Sequence, residues 1–220
     1  MTAKGPRAKK VFLITAGPTV EPIDPVRYIS NRSTGRMGYE LALAAIKRNY
    51  KVILIHGPVS FKLHGAIMSI EVSTASEMRK RVLEHFSRAD YVIMAAAVCD
   101  FRPARVSRRK IKKHGRKEYW LRLKQNSDIL KELGARKERQ VLVGYSLETE
   151  KPVENAMRKL RSKKLDFIVA NVVGKRSNPF GDGPSNVLLL GKKGVLRRIK
   201  NARKRDIASQ LSDFITGYKE

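Results

Sequence analysis

A single cysteine, Cys99, in 220 residues excludes an intrachain disulfide and a cysteine-rich zinc site. Histidine is scarce as well, and the four present are scattered, with no HExxH-type pair. Long apolar runs are missing: no stretch approaches the roughly eighteen continuous apolar residues of a membrane span. The first residues, MTAKGPRAKK, have no signal-peptide core. The expectation is a cytoplasmic chain with no membrane partner. The first apolar run is not followed by GxGxxG, and GxxxxGK[ST] is absent, so neither the dinucleotide fingerprint nor the P-loop is present. A nicotinamide-dependent oxidoreductase would also need an acidic residue closing the second strand, and ILIHGPV offers none. Acid is in short supply: 20 Asp and Glu stand against 47 Lys and Arg, a formal net charge of +27. Such an excess favours anionic partners (nucleic acid, acidic lipid or phosphorylated small molecules) or else describes a solvated basic surface. The cations concentrate in RVSRRKIKKHGRK (105–117) and GKKGVLRRIKNARKR (191–205). The first is broken by Gly and His and has too few apolar positions for a membrane-surface helix.

What is present is an alternation of apolar runs with segments of helical period. KVFLIT (10–15), KVILIH (51–56), YVIMAAA (91–97), VLVGYSL (141–147), DFIVAN (166–171) and NVLLLG (186–191) read as buried strands, MSIEVS (68–73) as a shorter one, and YWLRLKQ (119–125) as a half-exposed one. Between them the spacing predicts a helix over about 35–48 with Met37, Leu41, Ala44 and Ala45 on one face, and one opened by the capping-box pair Thr74 and Glu77. That second helix carries Met78, Val82 and Phe86 on its stripe; further helices are expected over SDILKELGA and ENAMRKLRSKK, and a last one buries Ile207, Leu211, Phe214 and Ile215. Continuous apolar strands separated by helices predict an α/β fold: three α/β/α layers around a mostly parallel, Rossmann-like sheet, with antiparallel strands late in the chain. No repeat or low-complexity linker divides residues 1–220, which are expected to form one domain.

Ligands of such sheets bind beyond the carboxyl ends of the strands, where this chain keeps its unusual residues. The first is the long connection AGPTVEPIDPVRYISNRSTGRMG (16–38), far longer than the two to six residues usual after a strand. In it, Ser33 or Thr34 can cap the next helix, and that helix N-terminus can hold a phosphate or carboxylate. Arg27 and Asn31 either contact a carboxylate, phosphate or developing oxyanion, or tie down their own loop; Asp24 before Pro25 suits turn chemistry. At the second place, AAAVCD (95–100), the alanines leave room for a flat ring or for a packed helix, and Asp100 can accept from a ribose or base. Cys99 has no nearby histidine base and reads as a buried thiol. The segment from about 103 to 118 is expected to be a mobile basic flap over a polyphosphate, or a solvated or nucleic-acid-binding loop. Lys159 and Lys163 share a helix face, an unfavourable pairing that an anion between them would relieve.

Taken together, ITAGPTVEPIDPVRYISNRSTGRMG, AAAVCDFRP, KIKK, NSDIL, VGYSLET, KLRSKKLDFIVAN and NVLLL resemble the phosphopantothenate–cysteine ligase family, the phosphopantothenoylcysteine synthetases of coenzyme A biosynthesis, over nearly the whole chain. The resemblance implies a ligase that joins 4'-phosphopantothenate to cysteine. CTP forms an acyl-cytidylate with loss of pyrophosphate, and the cysteine amine then displaces CMP. It implies that Arg27 and Asn31 contact the substrate, with Ser33, Gly35 and Ala97 beside them, that Asn31 holds the acyl group during attack, and that Lys110 promotes activation. Ala95, Ala96, Asp100, Lys110, Ser127, Asp128, Ile129, Leu130, Tyr145, Lys159 and Lys163 match positions lining the nucleotide. The implied partners are Mg2+ carried by the triphosphate, a second subunit in a homodimer with the site near its interface, and a separate decarboxylase, since none is fused ahead of these motifs; no metal-ligand residues and no functional nucleic-acid contact are implied. Two stretches depart from the family pattern: Ser127 stands where proline is usual, and Tyr145, Ser146 and Leu147 where Phe-Ala-Ala is common. The choice of CTP therefore rests on the resemblance alone, and the alternatives are the same ligase using ATP and a basic nucleic-acid-binding α/β protein.

Overall fold

The structure, a computed structural model, describes residues 9–113, 115, 117–173, 180, 181 and 183–218. In chain order it contains β1 (Val11–Ala16), β2 (Val20–Pro22), β3 (Tyr28–Ser30), α1 (Arg36–Lys47), β4 (Lys51–His56), β5 (Met68–Glu71), α2 (Ala75–Phe86), β6 (Tyr91–Met94), β7 (Phe101–Pro103), β8 (Leu123–Gln125), α3 (Ile129–Arg136), β9 (Val141–Glu148), α4 (Pro152–Ser162), β10 (Phe167–Val172), β11 (Ser185–Gly191), β12 (Gly194–Ala202) and α5 (Lys204–Gly217). The apolar runs form one eight-stranded sheet in the order β12-β11-β10-β9-β6-β1-β4-β5. The six strands from β5 to β10 pair in parallel, and β11 and β12 close the sheet antiparallel, as the sequence pattern predicts.

Side chains alternate across each strand, and each face has its own core. Phe12, Ile14, Val143 and Val169 pack with Leu41 and Ala45 of α1 and with Ile207 and Leu211 of α5. On the opposite face, Leu13, Val92, Leu142 and Ile168 pack with Met78 and Val82 of α2, Leu133 of α3 and Leu160 of α4. The capping box forms as expected: Thr74 accepts from the Glu77 N–H, and the Glu77 side chain accepts from the Thr74 backbone. Asp128 similarly caps α3 by accepting from Lys131.

Two expectations are corrected. YVIMAAA is strand only to Met94, because Thr15 Oγ1 and the Gly17 carbonyl take the N–H groups of Ala96 and Ala97 and draw the chain out of the ladder. YWLRLKQ pairs only at Leu123–Gln125, against Phe101–Pro103, and the Trp120 before it is 88% exposed. The long first connection also contains a short antiparallel pair, β2 with β3, that no periodicity announces. Of the second basic cluster, Arg197, Arg198 and Lys200 lie exposed on β12, the outer edge of the sheet, where charged side chains oppose edge-to-edge pairing with another chain.

Candidate functional site

Strand order reverses between β1 and β6: β1 continues to one side through β4, and β6 to the other through β9. The connections leaving such adjacent strands diverge and open a crevice, and the residues singled out in the sequence gather there. After β1 the chain runs through the β2–β3 pair to Gly35, which caps the start of α1 at φ 75°, a left-handed conformation that glycine adopts without strain. Neither Ser33 nor Thr34 caps the helix, contrary to expectation. Their hydroxyls instead accept from the N–H groups of Gly35 and Arg36, at 3.3 and 3.4 Å, and the first turn of α1 keeps no side-chain cap.

After β6, residues 95–100 are fastened by their backbone. Thr15 Oγ1 accepts from Ala96 at 3.1 Å, and Thr19 Oγ1 accepts from Cys99 at 2.9 Å. The Ala97 carbonyl accepts from the Asn31 amide at 3.1 Å, so Asn31 bridges the two crevice walls. Asn126 completes the clamp, donating its side-chain amide to the Cys99 carbonyl at 2.8 Å and its backbone N–H to the Asp100 carbonyl at 2.7 Å. With its backbone held, Asp100 leaves its carboxylate exposed to the crevice. Cys99 is buried, its Sγ lies 3.5 Å from the Thr19 carbonyl, and burial pushes the thiol above its ordinary pKa, so it is no nucleophile.

Two adjoining clefts result. The larger, about 430 Å³, is lined by the expected Asn31, Ser33, Ala95, Ala96, Ala97, Asp100, Tyr145 and Lys159. Its wall also includes Met37, Ser146, Asn171, Ser185 and Lys204. The smaller, about 220 Å³, is lined by Asp100, Asn126, Ser127, Asp128, Ile129, Leu130, Tyr145 and Lys163. Ala96, Asp100 and Tyr145 border both. A cleft of some hundreds of cubic ångströms with a few convergent polar groups is the size and character of a small-molecule site.

The cations are arranged by paired carboxylates. Lys159 Nζ lies 2.6 Å from Glu148 Oε1 at the end of β9, and Lys163 Nζ lies 2.9 Å from Asp128 Oδ2 at the start of α3. These partners relieve the repulsion of two lysines on one helix face and aim both at the strand ends. Arg27, Gly35 and Lys110 line neither cleft. The Arg27 guanidinium lies 2.6 Å from Asp24 Oδ2 and also donates to the Ile111 carbonyl, while the Ile111 N–H donates to Asp24 at 3.0 Å. Together with the Ser107 N–H on the Ile23 carbonyl at 2.9 Å, these bonds fasten the basic segment, Lys110 included, to the β2–β3 turn. His114 and Arg116, which fall within the expected flap, lie outside the described residues.

Four polar wall residues went unforeseen. Asn126 opens NSDIL and Asn171 closes KLRSKKLDFIVAN, but neither amide was singled out within its motif, and Ser185 precedes the apolar run of β11. Lys204 is buried at the start of α5, where its ammonium donates to the Gly181 carbonyl, but in sequence it is one cation of a crowded run.

Relatives are found on both sequence and structure. Over 207 residues, 94% of its length, the chain is 44% identical to the coenzyme A biosynthesis bifunctional protein CoaBC of Bacillus subtilis, of which it covers 51%. It thus spans about half the length of this curated relative. The fold superposes on the crystal structure of the C-terminal domain of a CoaBC protein with a TM-score of 0.79 and 34% identity, covering 94% of this chain and 95% of that one. It superposes equally on the DNA/pantothenate metabolism flavoprotein of Streptococcus pneumoniae, with a TM-score of 0.82 and 22% identity over 96% of this chain and all of that one, a likeness of fold. Residues 7–218 match the model of the DNA/pantothenate metabolism flavoprotein C-terminal domain, and the chain belongs to that family.

Proposed function

We propose that the chain is a phosphopantothenate–cysteine ligase of coenzyme A biosynthesis, activating the pantothenate carboxylate with CTP through an acyl-cytidylate and passing the acyl group to the amine of cysteine. The observation that carries the reading is the convergence of Asn31, Asp100, Lys159 and Lys163 around an alanine floor at the reversal of strand order. The relative that is 44% identical bears the name of a coenzyme A biosynthesis protein.

A carboxylate is a poor acyl donor until one of its oxygens becomes part of a leaving group. In the first step a carboxylate oxygen attacks the α-phosphate, and pyrophosphate leaves. Bringing these anions together is the electrostatic problem. Lys159 and Lys163, each with N–H donors beyond the one given to its carboxylate, answer it by donating to the phosphate oxygens, and Lys110, which lines neither cleft of its own chain, would join them from the basic segment of a second subunit. Ala95 and Ala96 leave room for the nucleoside beside Tyr145, and Asp100 accepts from its hydroxyl or amino groups. In the second step the amine nitrogen attacks the acyl carbon, CMP leaves with the electron pair of the broken bond, and the amine loses a proton. Asn31 uses one amide N–H on the Ala97 carbonyl; its second N–H is available to the acyl oxygen as negative charge develops there. Magnesium would arrive on the triphosphate and neutralise part of its charge. Among the described residues no group of three or more His, Cys, Asp or Glu side chains forms a metal cluster, so phosphate oxygens would supply most of its ligands, with Asp100 and Asp128 the carboxylates in the clefts.

Pyrophosphate release with phosphopantothenate and each nucleoside triphosphate in turn, with and without cysteine, tests the proposal. Turnover requires the pantothenate acid and is fastest with CTP; no turnover with any triphosphate overturns the ligase reading, and a preference for ATP overturns the choice of base. Separating the half-reactions tests the roles. Asn31→Ala accumulates the acyl-nucleotide, whereas Lys110→Ala fails to form it, each with a loss of about 10²–10³ in its own step. Equal impairment of both steps in both variants overturns this division.

A further inference from the structure

Of the second basic cluster, residues 191–205, only Lys204 lines the clefts of the crevice. Its first two lysines stand at the other end of the sheet. β11 runs antiparallel to β10 and ends beside that strand's start, so the turn made by Gly191, Lys192, Lys193 and Gly194 lies at the amino ends of the parallel strands. Such tight turns favour Gly, Asn and Asp, and turn chemistry gives no reason for two adjacent lysines. The α3–β9 connection brings Lys137 and Arg139 to the same end, and both segments line a cleft of about 700 Å³. Phe167, Leu196, Ile215 and Tyr218 form its apolar wall. A cavity of this volume, apolar with a few convergent charges, suits a small molecule, and the chemistry at the carboxyl ends of the strands makes no use of it.

We propose that this cleft is a second ligand site, for a small organic phosphate of nucleotide size, whose phosphates lie on Arg139, Lys192 and Lys193 and whose ring lies against Tyr218 and Leu196. The charge balance of the wall points to an anion. Its two carboxylates are those of Glu138 and Asp166. Asp166 is fully engaged: Oδ1 accepts from Lys137 Nζ at 2.7 Å, and Oδ2 accepts from the Leu142 N–H at 2.7 Å. Glu138 is then the one acid left to face three further cations. Arg139 and Lys193 are exposed, and neither forms an ion pair among the described residues. Like charges held around one concavity build up a positive potential that a bound anion relieves. The guanidinium fork can take two phosphate oxygens at once, and the ammonium groups of the turn can take others. The apolar wall points to more than an inorganic ion. Tyr218 is 44% exposed, yet its ring is held edge-on to Phe167, with centroids 5.0 Å apart and planes at 89°. A fixed aromatic ring beside a phosphate site is a surface on which a base can stack. Neither Arg139 nor Lys193 lines the clefts of the crevice, so this site and the ligase site stand or fall separately.

Calorimetric titration with ATP, inorganic tripolyphosphate and single-stranded oligothymidylate tests the site. ATP binds the parent at this cleft. Arg139→Gln and Lys193→Gln, at exposed positions where substitution leaves the fold intact, each weaken that binding about tenfold or more. Lys159→Ala leaves it unchanged, because Lys159 lines the crevice at the opposite end of the sheet. No ATP binding, or binding lost in Lys159→Ala alone, overturns the inference. Tripolyphosphate binds more weakly than ATP. Tyr218→Ala lowers the affinity for ATP about tenfold and leaves that for tripolyphosphate as it was; equal affinities for the two in the parent overturn the inference. So does oligothymidylate that binds more tightly than ATP and is weakened as much by Arg198→Gln or Lys200→Gln, exposed on β12, as by Arg139→Gln. The whole basic edge, not the cleft, would then be the anion surface. A parent that turns over no triphosphate removes the ligase reading and leaves these titrations to decide the second site.

Discussion

Asp24 is the residue on which the basic segment hangs. It is buried, and its carboxylate accepts N–H donors from Ile111, Val26 and Arg27 as well as the Arg27 guanidinium. The Ile111 bond leads the causes that hold its pKa far below the usual carboxylate range, while burial works in the other direction. With the unfolded value near about 3.9, the folded chain binds fewer protons than the unfolded one as pH falls through that value. The resulting stabilisation is fully present above about pH 4 and drains away as acid approaches the folded pKa. In a melting-temperature series from pH 7 to pH 2, Asp24→Asn should lie below the parent at neutral pH and converge with it in acid. A constant gap would show that the carboxylate is not the tie. In sequence Arg27 suits either a substrate contact or a loop tie, and the structure shows the tie. Its ambiguity is physical: a guanidinium fork suits any carboxylate, and whether that carboxylate is a ligand's or Asp24's depends on where a turn folds, which local sequence does not encode.

At the scale of elements, legibility followed length and burial. Strands buried on both faces announce themselves as continuous apolar runs, and helices of eleven or more residues by their stripes; β1, β4, β9, β10 and α1, α2 and α5 all appear within a few residues of their expected bounds. The three-residue strands β2, β3 and β7 were not legible, because so short a segment has no period and is made by its partner, and β8 was legible only as part of the longer run YWLRLKQ. Those pairs decide how Asn31, Lys110 and Asp100 approach the clefts, so the residues of the site were easier to name than their arrangement. The walls of the smaller cleft depend on a contact equally hidden from sequence. A Cβ on Gly134 of α3 would fall 1.9 Å from the Lys163 carbonyl at the end of α4. Gly134→Ala must therefore push the two helices apart and strain the Asp128–Lys163 pair. Denaturant unfolding should show a loss of about 1–3 kcal/mol, the usual cost of overpacking, and nucleotide affinity should fall with it. Unchanged affinity in a destabilised variant would separate the helix contact from the site.

For the molecule as a whole, six of the ten exposed large apolar side chains among the described residues fall on two neighbouring strand pairs and the chain beside them. Val26 and Tyr28 of the β2–β3 turn and strand are 58% and 61% exposed, Phe101 and Leu123 of the β7–β8 pair 51% and 45%, and Tyr119 and Trp120 beside them 56% and 88%. β2 packs beside β7, so these residues lie on neighbouring pieces of chain, at the carboxyl ends of the parallel strands where the clefts open. No helix of the described residues is long and apolar enough to cross a membrane, and an apolar concentration of this kind suits a contact surface. The homodimer that the sequence resemblance implies would cover it and bring one subunit's basic segment to the other's clefts, which would give Arg27 and Lys110 a site to act on although neither lines its own. Trp120 is the single tryptophan, so its emission reports directly on this surface. Dilution from micromolar to nanomolar concentration should shift the emission to the red as the ring is exposed, in step with a halving of mass by sedimentation. Tyr28→Asp should produce the monomer at all concentrations and lower ligase turnover at least tenfold, about the 1.4 kcal/mol that one lost contact to the activated complex is worth, while leaving the melting transition cooperative. A parent that sediments as a monomer at micromolar concentration, or a monomeric variant with full turnover, would leave each chain to complete its own site.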